Sequence, residues 1–187
     1  VEACLIGAVG DAGPGRGKAG LFTVTAQYLL CGGTAAVNGS INANGIKEAG
    51  AWDTHAGSGG SLYLKCSRLT GSGTVSANCE NTQRGSNSRS GAGGRVSVLL
   101  TGSEMTEFKY TQFDARAGWT SYDHHGGTGT VLVRSPAKPN GILYLRDAEK
   151  KYDQYGYRVS SLSGRLTDIP QNQDWTLDGI VFGDNAV

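Results

Sequence analysis

Hydrolysis of a glycosidic bond needs one acid to protonate the leaving oxygen and one base to activate water. The carboxylates that could serve are Asp53, Asp114 and Asp123. Their surroundings in the chain differ and no two are adjacent, so we read them as loop aspartates that fix local turns. Asp123-His124-His125, with His55 further back, offers imidazole and carboxylate groups of the kind that bind metals. Neighbouring residues of an extended chain point apart, which speaks against a shared ion. We therefore expect no metal or other cofactor, and expect His55, Arg89 and His124 to line a surface loop. Nucleophilic catalysis has no support either, because no Gly-x-Ser-x-Gly occurs.

A stronger case for binding comes from Trp52, Trp119 and Tyr122, which stand just before glycine-rich segments. Indole faces stack on sugar rings, so with His55, Asp123 and His124 they are the candidate ligand residues, for a polysaccharide. In the plainer alternative, which we take, the tryptophans cover the backbone of their own loops.

Four cysteines, Cys4, Cys31, Cys66 and Cys79, form no C-x-x-C pair, so a zinc ribbon or thioredoxin-type site is not indicated. An even count permits two disulfides in three connectivities. Cys31 and Cys66, 35 apart, could bridge adjacent turns of a repeat; Cys4 could instead pair with Cys31, and Cys66 with Cys79. Free, buried thiols are the remaining alternative. Asn38-Gly39-Ser40 fits an N-glycosylation acceptor, which needs an exposed loop in a secreted chain.

These groups must be held by a chain in which 30 of 187 residues are glycine, about twice average usage. Glycine weakens helix interiors, so an all-α fold is not expected. Proline is scarce and the glycines keep no three-residue period, which excludes collagen. With 17 basic against 16 acidic residues the chain has no field to attract nucleic acid or an anionic membrane. No apolar run is long enough to span a bilayer.

The glycines recur in a pattern. His55-Ala-Gly-Ser-Gly-Gly-Ser-Leu-Tyr-Leu64 returns 34 residues later as Arg89-Ser-Gly-Ala-Gly-Gly-Arg-Val-Ser-Val98. After 35 more comes His124-His-Gly-Gly-Thr-Gly-Thr-Val-Leu-Val133. A second motif keeps step: Ser40-Ile-Asn-Ala-Asn44, Thr74-Val-Ser-Ala-Asn78 and, 38 later, Gln112-Phe-Asp-Ala-Arg116. Short alternating strands between turn signals, at a constant period, predict a solenoid in which each turn stacks like residues on its neighbour. The glycines are expected to supply positive φ at each corner and to let adjacent turns approach closely. Trp52 and Trp119 would then lie two turns apart, roughly 10 Å.

Taken together, these segments resemble the glycine-rich repeats of large secreted proteins of the right-handed parallel β-helix type, found in surface adhesins and pectate-lyase-like proteins. The resemblance implies an all-β, right-handed parallel β-helix or β-solenoid with turns of roughly 34 residues. One domain is expected over 1–187, clearest over 20–134, with a loop insertion at 145–158 and a further turn in 159–187. Segment 101–116 lacks the glycine turn before its second motif, so that turn should be altered. The chain does not begin with Met and its last motif stops mid-pattern, which we read as a piece of a longer protein or a filament subunit. The expected role is a non-catalytic structural or adhesive element of a cell surface or filament, located outside the cell. Its partners would be copies of itself stacked end to end, the rest of a longer chain, or polysaccharide. A β-helix polysaccharide lyase or hydrolase, or a glycan-binding module, is the alternative.

Overall fold

Strands form wherever short β-rich runs lie between glycines and polar turns. The computed structural model describes residues 4–9, 26–46, 55–80, 89–102, 105, 108–118, 126–146 and 174–183. In chain order the strands are β1 (Cys4–Val9), β2 (Ala26–Cys31), β3 (Thr34–Ala36), β4 (Ser40–Asn42), β5 (Ser61–Cys66), β6 (Arg68–Thr70), β7 (Thr74–Ser76), β8 (Arg95–Leu100), β9 (Phe113–Asp114), β10 (Thr130–Ser135), β11 (Lys138–Arg146) and β12 (Gly179–Gly183). A 3-10 turn at Tyr110–Gln112 precedes β9. The chain is all-β in character.

Three sheets share these strands. The largest runs β1-β2-β5-β8-β10-β11-β12, a second holds β3-β6, and a third β4-β7-β9. From β2 to β7 the chain visits the three in rotation, and each strand from β5 to β10 lies beside the strand laid down one period earlier. Ser61 pairs with Arg95, Thr34 with Arg68 and Ser40 with Thr74, all parallel and all 34 apart.

Equal spacing brings like residues into rows. Leu64, Val98 and Val133 follow one another across the largest sheet; Ile41, Val75 and Phe113 do so across the third. Alternation in β5 turns Leu62, Leu64 and Cys66 inward and Tyr63 and Lys65 outward. The inward rows of the three sheets, including the fully buried Leu69, Val75 and Phe113, form one core. Burial of each large side chain stabilises by about 1.5–3 kcal/mol before entropy is counted.

The two sequence motifs that share a period prove to touch. The amide of Gly94 donates to the Ala77 carbonyl, and those of Gly60 and Gly129 do the same to Ala43 and Ala115. The glycine loops are built for this contact rather than for a left-handed backbone. Among the described glycines, only Gly71 and Gly141 have positive φ. At Gly59 and Gly93 the reason for glycine is space: a Cβ there would run into the carbonyls of Ala77 and Ala115. Positive φ at every corner is thus not what the structure uses. Gly71, at φ 110°, is the corner that does need it.

Parallel pairing is also not maintained throughout. β1 lies antiparallel on β2, and β10 turns back through Pro136 and Ala137 into antiparallel β11. β12 then adds parallel to β11 as an edge strand. Residues 145 and 146, expected in a loop insertion, end β11; 147–158 lie outside the described residues.

Between β8 and β9 the pattern of strands changes. No strand among the described residues follows β6 in the second sheet. Instead Phe108 is buried against Phe113, ring centroids 5.1 Å apart. Gln112 stands in for the missing glycine turn: its Nε2 donates to the carbonyls of Gly71 and Gly73 at 3.1 and 2.7 Å.

Candidate functional site

His55 and Arg89 lie side by side in a parallel bridge, and the Ala56 amide donates to the Arg89 carbonyl at 3.0 Å. The sequence pairing of these two loops is therefore physical. Trp52, Trp119, Tyr122, Asp123 and His124, expected to complete the site, lie outside the described residues.

Of the three aspartates, Asp114 is described. It sits on β9 and holds Arg116 in a two-pronged ion pair, Nε to the carboxylate oxygens at 2.8 and 2.9 Å and Nη2 at 2.6 Å. A carboxylate whose two oxygens are both engaged by a guanidinium two residues away is already occupied by a partner in its own segment of the chain. Asp53 and Asp123 lie outside the described residues. Among the described residues no group of three His, Cys, Asp or Glu could hold a metal ion.

Next to Asp114 runs a polar ladder that spacing alone could have revealed. The Asn44 Oδ1 accepts the Asn78 amide at 2.8 Å, and the Asn78 Oδ1 accepts the Arg116 amide at 2.8 Å. One row over, the Ser76 hydroxyl donates to the Asn42 Oδ1 at 2.7 Å. Each side chain thus satisfies a group belonging to the next turn. The signal was the repeated Ala-Asn at a 34-residue offset; it was read as periodicity and not as a bond.

The cysteines divide. Cys66 and Cys79 are free and buried, so neither a Cys31–Cys66 nor a Cys66–Cys79 bridge forms. Cys31 is disulfide-bonded. Its direct ladder partner on β1 is Cys4. Leu30 pairs with Lys65, which puts Cys31 beside Cys66 as the 35-residue spacing suggested, without a bond between them. Burial raises the Cys66 thiol. Burial also pushes Cys79 up to about 11, against partial relief from the Gly91 and Gly118 backbone. Such thiols behave as small apolar side chains and not as nucleophiles.

Asn38 is exposed, as an acceptor for glycan must be, and its Oδ1 receives the Ser72 amide at 3.3 Å. Tyr28 and Tyr63 were not singled out by sequence. They are ladder partners on β2 and β5, on the outer face of the largest sheet, 38% and 37% exposed. Alternation in Leu62-Tyr63-Leu64 marks the second as outward-facing.

No protein-family model, curated protein or solved structure matches the chain.

Proposed function

We propose that the chain is a β-solenoid of roughly 34-residue turns serving as a non-catalytic structural or adhesive element outside the cell. The observation that carries this reading is the stacking of residues 34 apart in three separate sheets, with asparagines binding the amide of the turn beyond. Architecture of this kind repeats contacts instead of concentrating reactive groups. The disulfide at Cys31 favours an oxidising compartment.

Assembly with further copies is the partner reading. β12 is an edge strand of sequence Gly-Ile-Val-Phe-Gly, without the lysine, proline or inward charge that blunts sheet edges. Ile180, Val181 and Phe182 are exposed on it.

Sedimentation over a wide concentration range, with electron microscopy, tests the reading. End-to-end oligomers that Val181→Lys abolishes are expected. A strict monomer at high concentration, or release of reducing ends from neutral and acidic glycans, would overturn it.

A further inference from the structure

The outer face of the largest sheet carries a second kind of row. Tyr28 and Tyr63 stand side by side on adjacent parallel strands, and Ser97 continues the row on β8. With strands about 4.8 Å apart, the two tyrosines project from neighbouring positions on the same face and form an aromatic strip. Both are more than one-third exposed, although β5 buries its inward residues Leu62, Leu64 and Cys66 almost completely.

Cations surround this strip. Lys65 follows Tyr63 by two on the same strand; Arg95 precedes Ser97 by two; Arg134 continues Lys65's row on β10, with Leu99 between. All three are exposed. None makes an ion pair among the described residues, and no carboxylate stands among the outward residues of β2, β5, β8 and β10. A net charge of +1 for the whole chain thus conceals a face on which, among the described residues, positive charge is locally unopposed.

We propose that this face binds an acidic polysaccharide. Tyrosine rings offer apolar faces to sugar rings, with hydroxyls at their edges for the sugar hydroxyls. Arginine and lysine meet carboxylate or sulfate groups, arginine in the two-pronged manner. Three cations spread over three strands are too few for the dense charge of nucleic acid, which is bound through many phosphates. The ligand class goes beyond the structural role above, and it is read from side chains on one sheet face that the stacking contacts do not use.

The test measures binding of alginate oligosaccharide, its fully methyl-esterified neutral form and oligothymidylate to the intact chain. Binding to alginate that falls at least tenfold on esterification, and falls again with added salt, is expected. The triple variant Lys65→Gln, Arg95→Gln, Arg134→Gln should lose at least tenfold, and Tyr28→Ser with Tyr63→Ser about tenfold. Far-UV circular dichroism reports whether each variant keeps the fold, and the salt dependence of the unaltered chain needs no variant. Equal binding to the neutral form, tighter binding to oligothymidylate, or no binding to alginate overturns the proposal. Alginate binding by a strict monomer would overturn assembly and leave this face intact.

Discussion

Two consecutive passages around the three sheets reach the same result by different means. From β5 to β8 the chain covers 34 residues, and every motif returns at that spacing. From β8 to β10 it covers 35, but the second motif arrives 38 residues after its predecessor. The extra residues enter between β8 and β9, and the loop after Arg116 is shorter, so the largest sheet regains register. The rows in the strands are therefore the rigid quantity, because a slip would turn apolar side chains outward. Loops absorb the difference in length.

The irregular passage compensates with larger side chains. Phe113 occupies the row that Ile41 and Val75 fill elsewhere, and packs on Phe108. Phe113→Ala should destabilise by about 3–5 kcal/mol in denaturant unfolding. Val75→Ala, which removes less volume from the same row, should cost less. Equal losses would mean that the long passage does not depend on its aromatic pair.

The next effect is pH-dependent and belongs to the end of the regular passage. Cys79 has its thiol raised from 9.0 to about 11 by burial. The folded state holds this proton more tightly than the unfolded state. Its contribution is complete below about pH 9 and is lost as pH climbs toward 11, by up to about 2–3 kcal/mol. Comparing unfolding at pH 8 and pH 11 should show a smaller loss for Cys79→Ala than for the unaltered protein. Identical slopes would remove Cys79 from the core of this region.

Much of this layout was legible in the sequence, for a physical reason. In-register parallel strands place like residues beside like, so a spacing of 34 in the text becomes one strand spacing in space, as with Ser40 and Thr74. The same argument placed Cys31 beside Cys66 correctly. It could not decide between bond and contact, because Cys31 has a second ladder neighbour on its other side, Cys4, which lies outside the 34-residue period. Nor could a period announce its own end: the reversal at Pro136 and Ala137 is a local hairpin that breaks the pattern. Tyr28 and Tyr63 went unnoticed as a pair because aromatic residues in alternating strands usually signal a core. Alternation marks Tyr63 as outward-facing, and its register with Tyr28 and the exposure of both place the pair on the outer face.

Glycine separates close approach from turn geometry. A Cβ at Gly93 would collide with the Ala115 carbonyl, whereas at Gly57 it would meet only the Ile46 backbone at 3.8 Å. Gly93→Ala should therefore cost about 1–3 kcal/mol as an overpacked site, and Gly57→Ala close to nothing. Similar melting temperatures for the two variants would show that the loops tolerate a wider gap between turns.

The smallest effect concerns the asparagine ladder, and it divides the regular passage from the irregular one. Asn44 accepts an amide from Asn78, inside the regular repeat; Asn78 accepts one from Arg116, where the long passage rejoins it. Asn44→Ala leaves the Asn78 amide without its side-chain acceptor, at about 1–2 kcal/mol, whereas after Asn78→Ala the Arg116 amide keeps its longer bond to Asp114 Oδ1 at 3.3 Å. The local consequence should differ. Arg116 is also fixed by Asp114 through its guanidinium, so its backbone has a second anchor. Asn78 has no such side-chain ion pair and relies on the ladder and strand pairing. Asn44→Ala should then raise amide hydrogen exchange at Asn78 more than Asn78→Ala raises it at Arg116. The reverse order would mean that the asparagines, and not the ion pair, hold the irregular passage in register.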